Sequence, residues 1–138
     1  MDGGELHGRC LCGAVTVRVG DHTPEVGACH CSYCRRWTGS AYFAFEAPAD
    51  AVSIDGPVKT YRSTPFSQRA FCAECGSHIW LRDDGDEVIE LMPGLFDDAS
   101  GMPLVSVVYA DRAPAYLPLP KDVRRRTAAE YEADRPHV

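Results

Sequence analysis

Missing from this 138-residue chain is any apolar run long enough to span a bilayer, which takes about 20 consecutive hydrophobic residues, so no membrane role is expected. The opening MDGGELHGRC has no basic patch followed by an apolar stretch. It therefore does not read as a secretory signal, and a cytosolic (cytoplasmic) protein is expected. A basic excess is lacking too: 14 Lys and Arg against 20 Asp and Glu leave a formal charge of −6. That balance opposes nucleic acid as a default partner, because phosphate binding rests on cationic side chains. No internal repeat, low-complexity tract or linker interrupts the chain, and no long amphipathic helical pattern precedes residue 120. A single domain over residues 1–138 is expected, large enough to remove roughly two thirds of its unfolded surface from water.

What is present begins with short alternating stretches. AVTVRVG (14–20), AYFAFEA (41–47), AVSID (51–55), VKTYRS (58–63), HIWLRD (78–83) and EVIELM (87–92) have the length and patterning of strands. EAPAD, IDGP, STPFS, DDGD and MPG separate them, supplying Gly, Pro or Asp where the backbone must reverse. The expectation is a mainly β domain of short antiparallel strands, with PLVSVVYA (103–110) as a further strand and DVRRRTAAEYEADR (122–135) as a short C-terminal helix. Arg124, Arg125 and Arg126 are read as a solvated face.

Seven cysteines in a reducing compartment, an odd number, do not describe a disulfide framework; metal binding or thiol chemistry takes precedence. CLC supplies Cys10 and Cys12, and CAEC supplies Cys72 and Cys75. Zinc takes four thiolates tetrahedrally, and two short chelating turns brought together by strand pairing supply that geometry. Such a structural zinc would join segments about 60 residues apart, so its binding would contribute directly to folding. Reduced, metal-free core cysteines are the alternative.

The stretch GACHCSYCRRWTGS holds the remaining three, Cys29, Cys31 and Cys34, in a tight loop that runs into a short helical turn. A closed structural site uses four protein ligands, whereas a site for chemistry keeps one position open. Three thiolates around Zn²⁺ leave a net charge of about −1, a poor Lewis acid but a good holder of a further sulfur. A second zinc here could present an activated external thiolate to an electrophile. The alternatives are a weak metal site and a zinc completed by another protein group.

The order GRCLCGAVTVRV, CHCSYCRRWTGSAY, YRS…RAFCAECGSHIWLR, LMPGLFDD resembles the glutathione-dependent formaldehyde-activating (GFA) enzyme family, which includes the centromere protein V-like domains. The resemblance covers about residues 8–116. It implies a mainly β, zinc-containing fold in which Cys10, Cys12, Cys72 and Cys75 hold the structural zinc. It also implies that Cys29, Cys31 and Cys34 form the catalytic, glutathione-accessible zinc site. The implied activity is addition of the glutathione thiol to formaldehyde or a related small electrophile, giving S-hydroxymethylglutathione, a carbon–sulfur lyase reaction with glutathione as cosubstrate. APAY (113–116) stands where a tryptophan-containing APW-like segment is expected.

Neighbouring residues have plainer readings beside the functional ones. Arg35 and Arg36 could clamp a carboxylate but suit solvent or a salt bridge. Gly39 would allow close backbone approach and Trp37 would pack. His30, between two ligands, is expected to point away from the metal, and His78 to be a partly buried, hydrogen-bonded strand residue. Asp97 and Asp98 suit a turn or helix N-cap. The competing function is a non-enzymatic, zinc-stabilised binding or structural domain.

Overall fold

The alternating stretches do become strands. In the computed structural model, which describes residues 1–138, the strands are β1 (Leu6–Arg9), β2 (Thr16–Val19), β3 (Val26–Cys29), β4 (Tyr42–Pro48), β5 (Val52–Asp55), β6 (Val58–Thr64), β7 (Ser67–Cys72), β8 (His78–Asp83), β9 (Val88–Leu91), β10 (Leu104–Val108) and β11 (Arg124–Arg126). Two seven-residue helices complete the fold, α1 (Ser32–Thr38) after β3 and α2 (Ala128–Asp134) near the end. The chain divides into two compact units, Met1–Glu25 with Ala44–Met102 and Val26–Phe43 with Pro103–Val138.

The first unit is antiparallel throughout. β2 pairs β1 on one side and β5 on the other, with Val17 opposite both Gly8 and Ile54. A second antiparallel series runs β6–β7–β8–β9 and continues onto Phe45–Pro48 of β4. Val15, Val17 and Val19 from the first series, and Phe45, Ile79 and Leu91 from the second, supply one buried cluster. Phe96 meets Phe45 edge to face at 5.3 Å. Each such side chain contributes about 1.5–3 kcal/mol on leaving water. Gly56 holds a sharp bend at φ 118°, where an added Cβ would lie 2.1 Å from the Ala14 carbonyl oxygen.

The second unit departs from the antiparallel expectation. β10 pairs β3 and β11, both in parallel, with Val108 opposite Cys29 and opposite Arg126. A parallel partner needs a long connection, and the chain between Phe43 and Pro103 provides it by building most of the first unit. Ala28, Val107 and Val123 form this unit's own small core.

Four strands escaped the sequence reading: β1, β3, β7 and β11. In β7 the reason is visible, because Ser67 and Arg69 are buried where apolar residues would have revealed the alternation; Arg69 donates from Nε to Ser63 Oγ at 3.1 Å. The C-terminal helix begins later than residue 122, since Arg124–Arg126 are drawn into β11. Thr127 then starts α2 with a reciprocal capping box: its hydroxyl accepts from Glu130 N, while the Glu130 carboxylate accepts from Thr127 N. Arg124 and Arg125 are exposed as expected, whereas Arg126 pairs with Asp134. No helix is long and apolar enough to cross a membrane.

Candidate metal centres

Each unit carries one cysteine cluster. In the first, the tight turn after β1 carries Cys10 and Cys12, Cys72 ends β7 and Cys75 follows in the turn before β8; all four sulfurs lie within 4.8 Å of one another. Cys10 and Cys12 sulfurs are 3.6 Å apart, and those of Cys12 and Cys72 3.8 Å. Four ligands at about 2.3 Å from a tetrahedral zinc have edges of about 3.8 Å, so the donor set fits that ion. Backbone amides prepare the sulfurs: Val15 N–H points at Cys10 Sγ (3.2 Å), and those of Glu74 and Cys75 at Cys72 Sγ (3.4 and 3.5 Å). The Ser77 hydroxyl, 3.2 Å from Cys75 Sγ, helps pull that thiol down to about 5. Ser77 Oγ also accepts from Leu11 N at 3.0 Å, tying the two turns together without a metal.

The second cluster is built locally. Cys29 ends β3, Cys31 is the N-cap of α1, and Cys34 is buried in the helix's first turn. Their three sulfurs also lie within 4.8 Å of one another, and neither His30 nor any carboxylate joins the group. Cys31 Sγ accepts from Cys34 N at 3.4 Å. Three thiols this close share protons unequally: hydrogen bonds from Cys29 and Cys34 pull Cys31 down to about 2, while the same contacts push Cys29 strongly up. A thiolate already favoured among two further sulfur donors is the chemistry of a soft-metal site with one side open.

Gly39 ends α1 in the left-handed conformation at φ 75°, its N–H returning to Arg35 O at 2.9 Å. An added Cβ there would meet nothing within 4 Å, so conformation and not close approach is what glycine provides. Arg35 and Arg36 are exposed in the last turn, where positive charge suits the helix dipole. Trp37 packs near Tyr42, ring centres 6.4 Å apart. His30 is 2% exposed, and its Nε2 has no hydrogen-bond partner. Half-buried His78 belongs to the first unit, its pKa lowered by burial and by Arg69. Asp97 and Asp98 lie inside a 3-10 turn whose N-cap position is Phe96.

A cavity of about 800 Å³ lies in the first unit against the four-cysteine turn, with Arg9, Thr16, Asp55, Ser77 and Asp97 among its walls. None of the three cysteines of the second unit lines it. Sequence reasoning also missed Tyr109, which follows β10 and is 5% exposed with φ 55°, the sole non-glycine residue at positive φ. The parallel register sets its chain neighbour Val108 opposite Cys29, a proximity that the long intervening sequence conceals.

Two separate thiol clusters, in the order pair, triplet, pair, coincide with a known sequence profile. The profile described as glutathione-dependent formaldehyde-activating enzyme matches residues 5–112. The chain belongs to this family. Among curated relatives, an uncharacterized lyase of Schizosaccharomyces pombe is 35% identical over 78 residues, covering 56% of this chain and 57% of the relative. A Halomonas elongata protein named for glutathione-dependent formaldehyde activation is 34% identical over 88 residues, covering 56% of each chain. The GFA-family chain thus matches just over half the length of these relatives. A crystal structure of a Rhodobacter sphaeroides protein shares the fold, with TM-score 0.59 and 20% identity over 72% of this chain and all of the other.

Proposed function

We propose that this GFA-family protein is a carbon–sulfur lyase that joins the glutathione thiol to formaldehyde or a related small electrophile at Cys29, Cys31 and Cys34. The observation that carries the proposal is a set of three sulfurs within 4.8 Å of one another with no fourth protein ligand. Cys10, Cys12, Cys72 and Cys75 would hold a structural zinc; Cys29, Cys31 and Cys34 would hold a second. Zinc bound by the three would supply a soft cation that favours the deprotonated form of an external thiol.

The chain's own residues prepare the reaction. β3 and α1 fix the three sulfurs before any ligand arrives, with the Cys34 amide and the Gly39 cap holding the helix in register. Charge favours an anionic thiol: the second unit has eight basic and five acidic residues, against six basic and fifteen acidic in the first. Glutathione, with two carboxylates and one ammonium, is therefore drawn to the more basic unit. The thiolate sulfur attacks the aldehyde carbon, the S–C bond forms, and the carbonyl π pair moves to oxygen. That oxygen takes up the proton released by the thiol, so the adduct is a neutral hemithioacetal.

Turnover of formaldehyde and glutathione by the zinc-loaded protein, followed by NMR against the spontaneous rate, tests the reaction. Acceleration abolished by loss of Cys31 or Cys34 is expected. No acceleration by the parent, combined with a metal centre indifferent to small thiols and stable capture of a protein partner, would favour a zinc-stabilised binding domain instead.

A further inference from the structure

Tyr109 has an unusual backbone for a bulky side chain. Left-handed φ is unfavourable for such a residue and persists where surrounding structure imposes it, often at functional sites. Here β10 stops at Val108, whose carbonyl accepts from His30 N at 3.1 Å, between Cys29 and Cys31 in sequence. Immediately afterwards the chain reverses at Tyr109 and closes a 3-10 turn, with Arg112 N donating to Tyr109 O at 3.0 Å. The turn brings the Arg112 guanidinium carbon 5.2 Å from the centre of the Tyr109 ring. Tyr131 of α2 packs on the same ring at 5.4 Å. Tyr109 is thus held firmly, while Arg112 remains exposed. Val108 lies opposite Cys29 in the β3–β10 pair, so the turn that begins at Tyr109 starts next to the three-cysteine segment.

We propose that the strained Tyr109–Arg112 turn is the cosubstrate-recognition element of the three-cysteine centre, Arg112 anchoring a carboxylate of the incoming thiol and Tyr109 donating a hydrogen bond at its reacting end. The inference rests on the thiol reading above and names the class of thiol selected, one that bears a carboxylate. A guanidinium stacked on an aromatic ring has lost much of its rotational freedom, which favours bidentate capture of a carboxylate. No acidic side chain forms a salt bridge with Arg112.

Cobalt-loaded protein separates the two contributions, because thiol binding is read from the cobalt absorption bands and not from turnover. Glutathione and uncharged 2-mercaptoethanol are titrated against the parent, Arg112→Gln and Tyr109→Phe, with metal content and circular dichroism recorded for each. Arg112→Gln is expected to raise the glutathione midpoint about fivefold and leave the 2-mercaptoethanol midpoint unchanged. Arg112→Lys should recover part of the difference. Tyr109→Phe, which keeps the ring and the turn, is expected to raise both midpoints. If Arg112→Gln shifts both thiols equally or neither, or if Tyr109→Phe shifts neither, the recognition element is overturned while thiol binding stands. A parent whose bands respond to neither thiol overturns the thiol reading and this inference with it.

Discussion

Replacing Cys72 with serine should separate the metal link from the packing around it. Cys72 is 1% exposed at the end of β7, and the Glu74 and Cys75 amides that point at its sulfur can be accepted equally by a serine oxygen. Local shape is therefore kept while a thiolate ligand is lost. Cys12 and Cys72 are 60 residues apart in sequence, and a cross-link closing a loop of that length restricts the unfolded chain by about 4 kcal/mol. Cys75 still offers the metal a weaker hold, so the expected loss is about 2–4 kcal/mol, a large share of the 5–15 kcal/mol typical of a domain. For a chain of this size, that lowers the melting temperature by roughly 6–12 °C. Thermal unfolding followed by circular dichroism, with zinc measured on the same samples, reads both quantities, and a chelator added to the parent should reproduce the shift. Parent-like melting with undiminished zinc in Cys72→Ser, or a parent insensitive to a strong chelator, would refute the structural assignment.

Changing Cys31 or Cys34 to serine should leave the first unit folded with about one zinc per chain, since that centre lies within one short segment, yet reduce thiol-dependent turnover at least about tenfold, equivalent to about 1.4 kcal/mol. Unfolding comparable to Cys72→Ser would make the three cysteines structural. Gly39→Ala should cost about 1 kcal/mol for left-handed backbone alone, and Gly56→Ala clearly more, because its Cβ would also strike the Ala14 carbonyl; equal denaturation midpoints would contradict this. Burial lowers the pKa of His30, so folding favours the neutral imidazole: its contribution is complete above about pH 6.5 and is lost as pH falls through that value towards the folded pKa. His30→Phe should flatten that part of the stability–pH curve and leave zinc content unchanged, whereas lost zinc would make His30 a ligand.

The strands and the cysteine chemistry were legible in sequence wherever the deciding interaction is local. Period-2 alternation located the strands from 14 to 20 and 78 to 83 within a few residues, because one buried face imposes that pattern. C-x-C and C-x-x-C spacings allow two sulfurs to meet across one turn, so they announce chelation without knowledge of the rest of the fold. Pairing of β7 was obscured where buried Arg69 donates to Ser63 and buried Ser67 shares a hydrogen bond with Thr64, a compensation that hydrophobic patterning cannot express. The parallel entry of β10 beside β3 depends on the path of the chain between Phe43 and Pro103, and it sets Val108, the residue before Tyr109, opposite Cys29. Likewise, a net acidic sequence conceals a basic unit until contacts divide its charges. Composition and spacing determined which atoms could bind metal; tertiary pairing decided which distant sulfurs close one centre and which side chains face the other, because those choices depend on contacts between segments far apart in the chain.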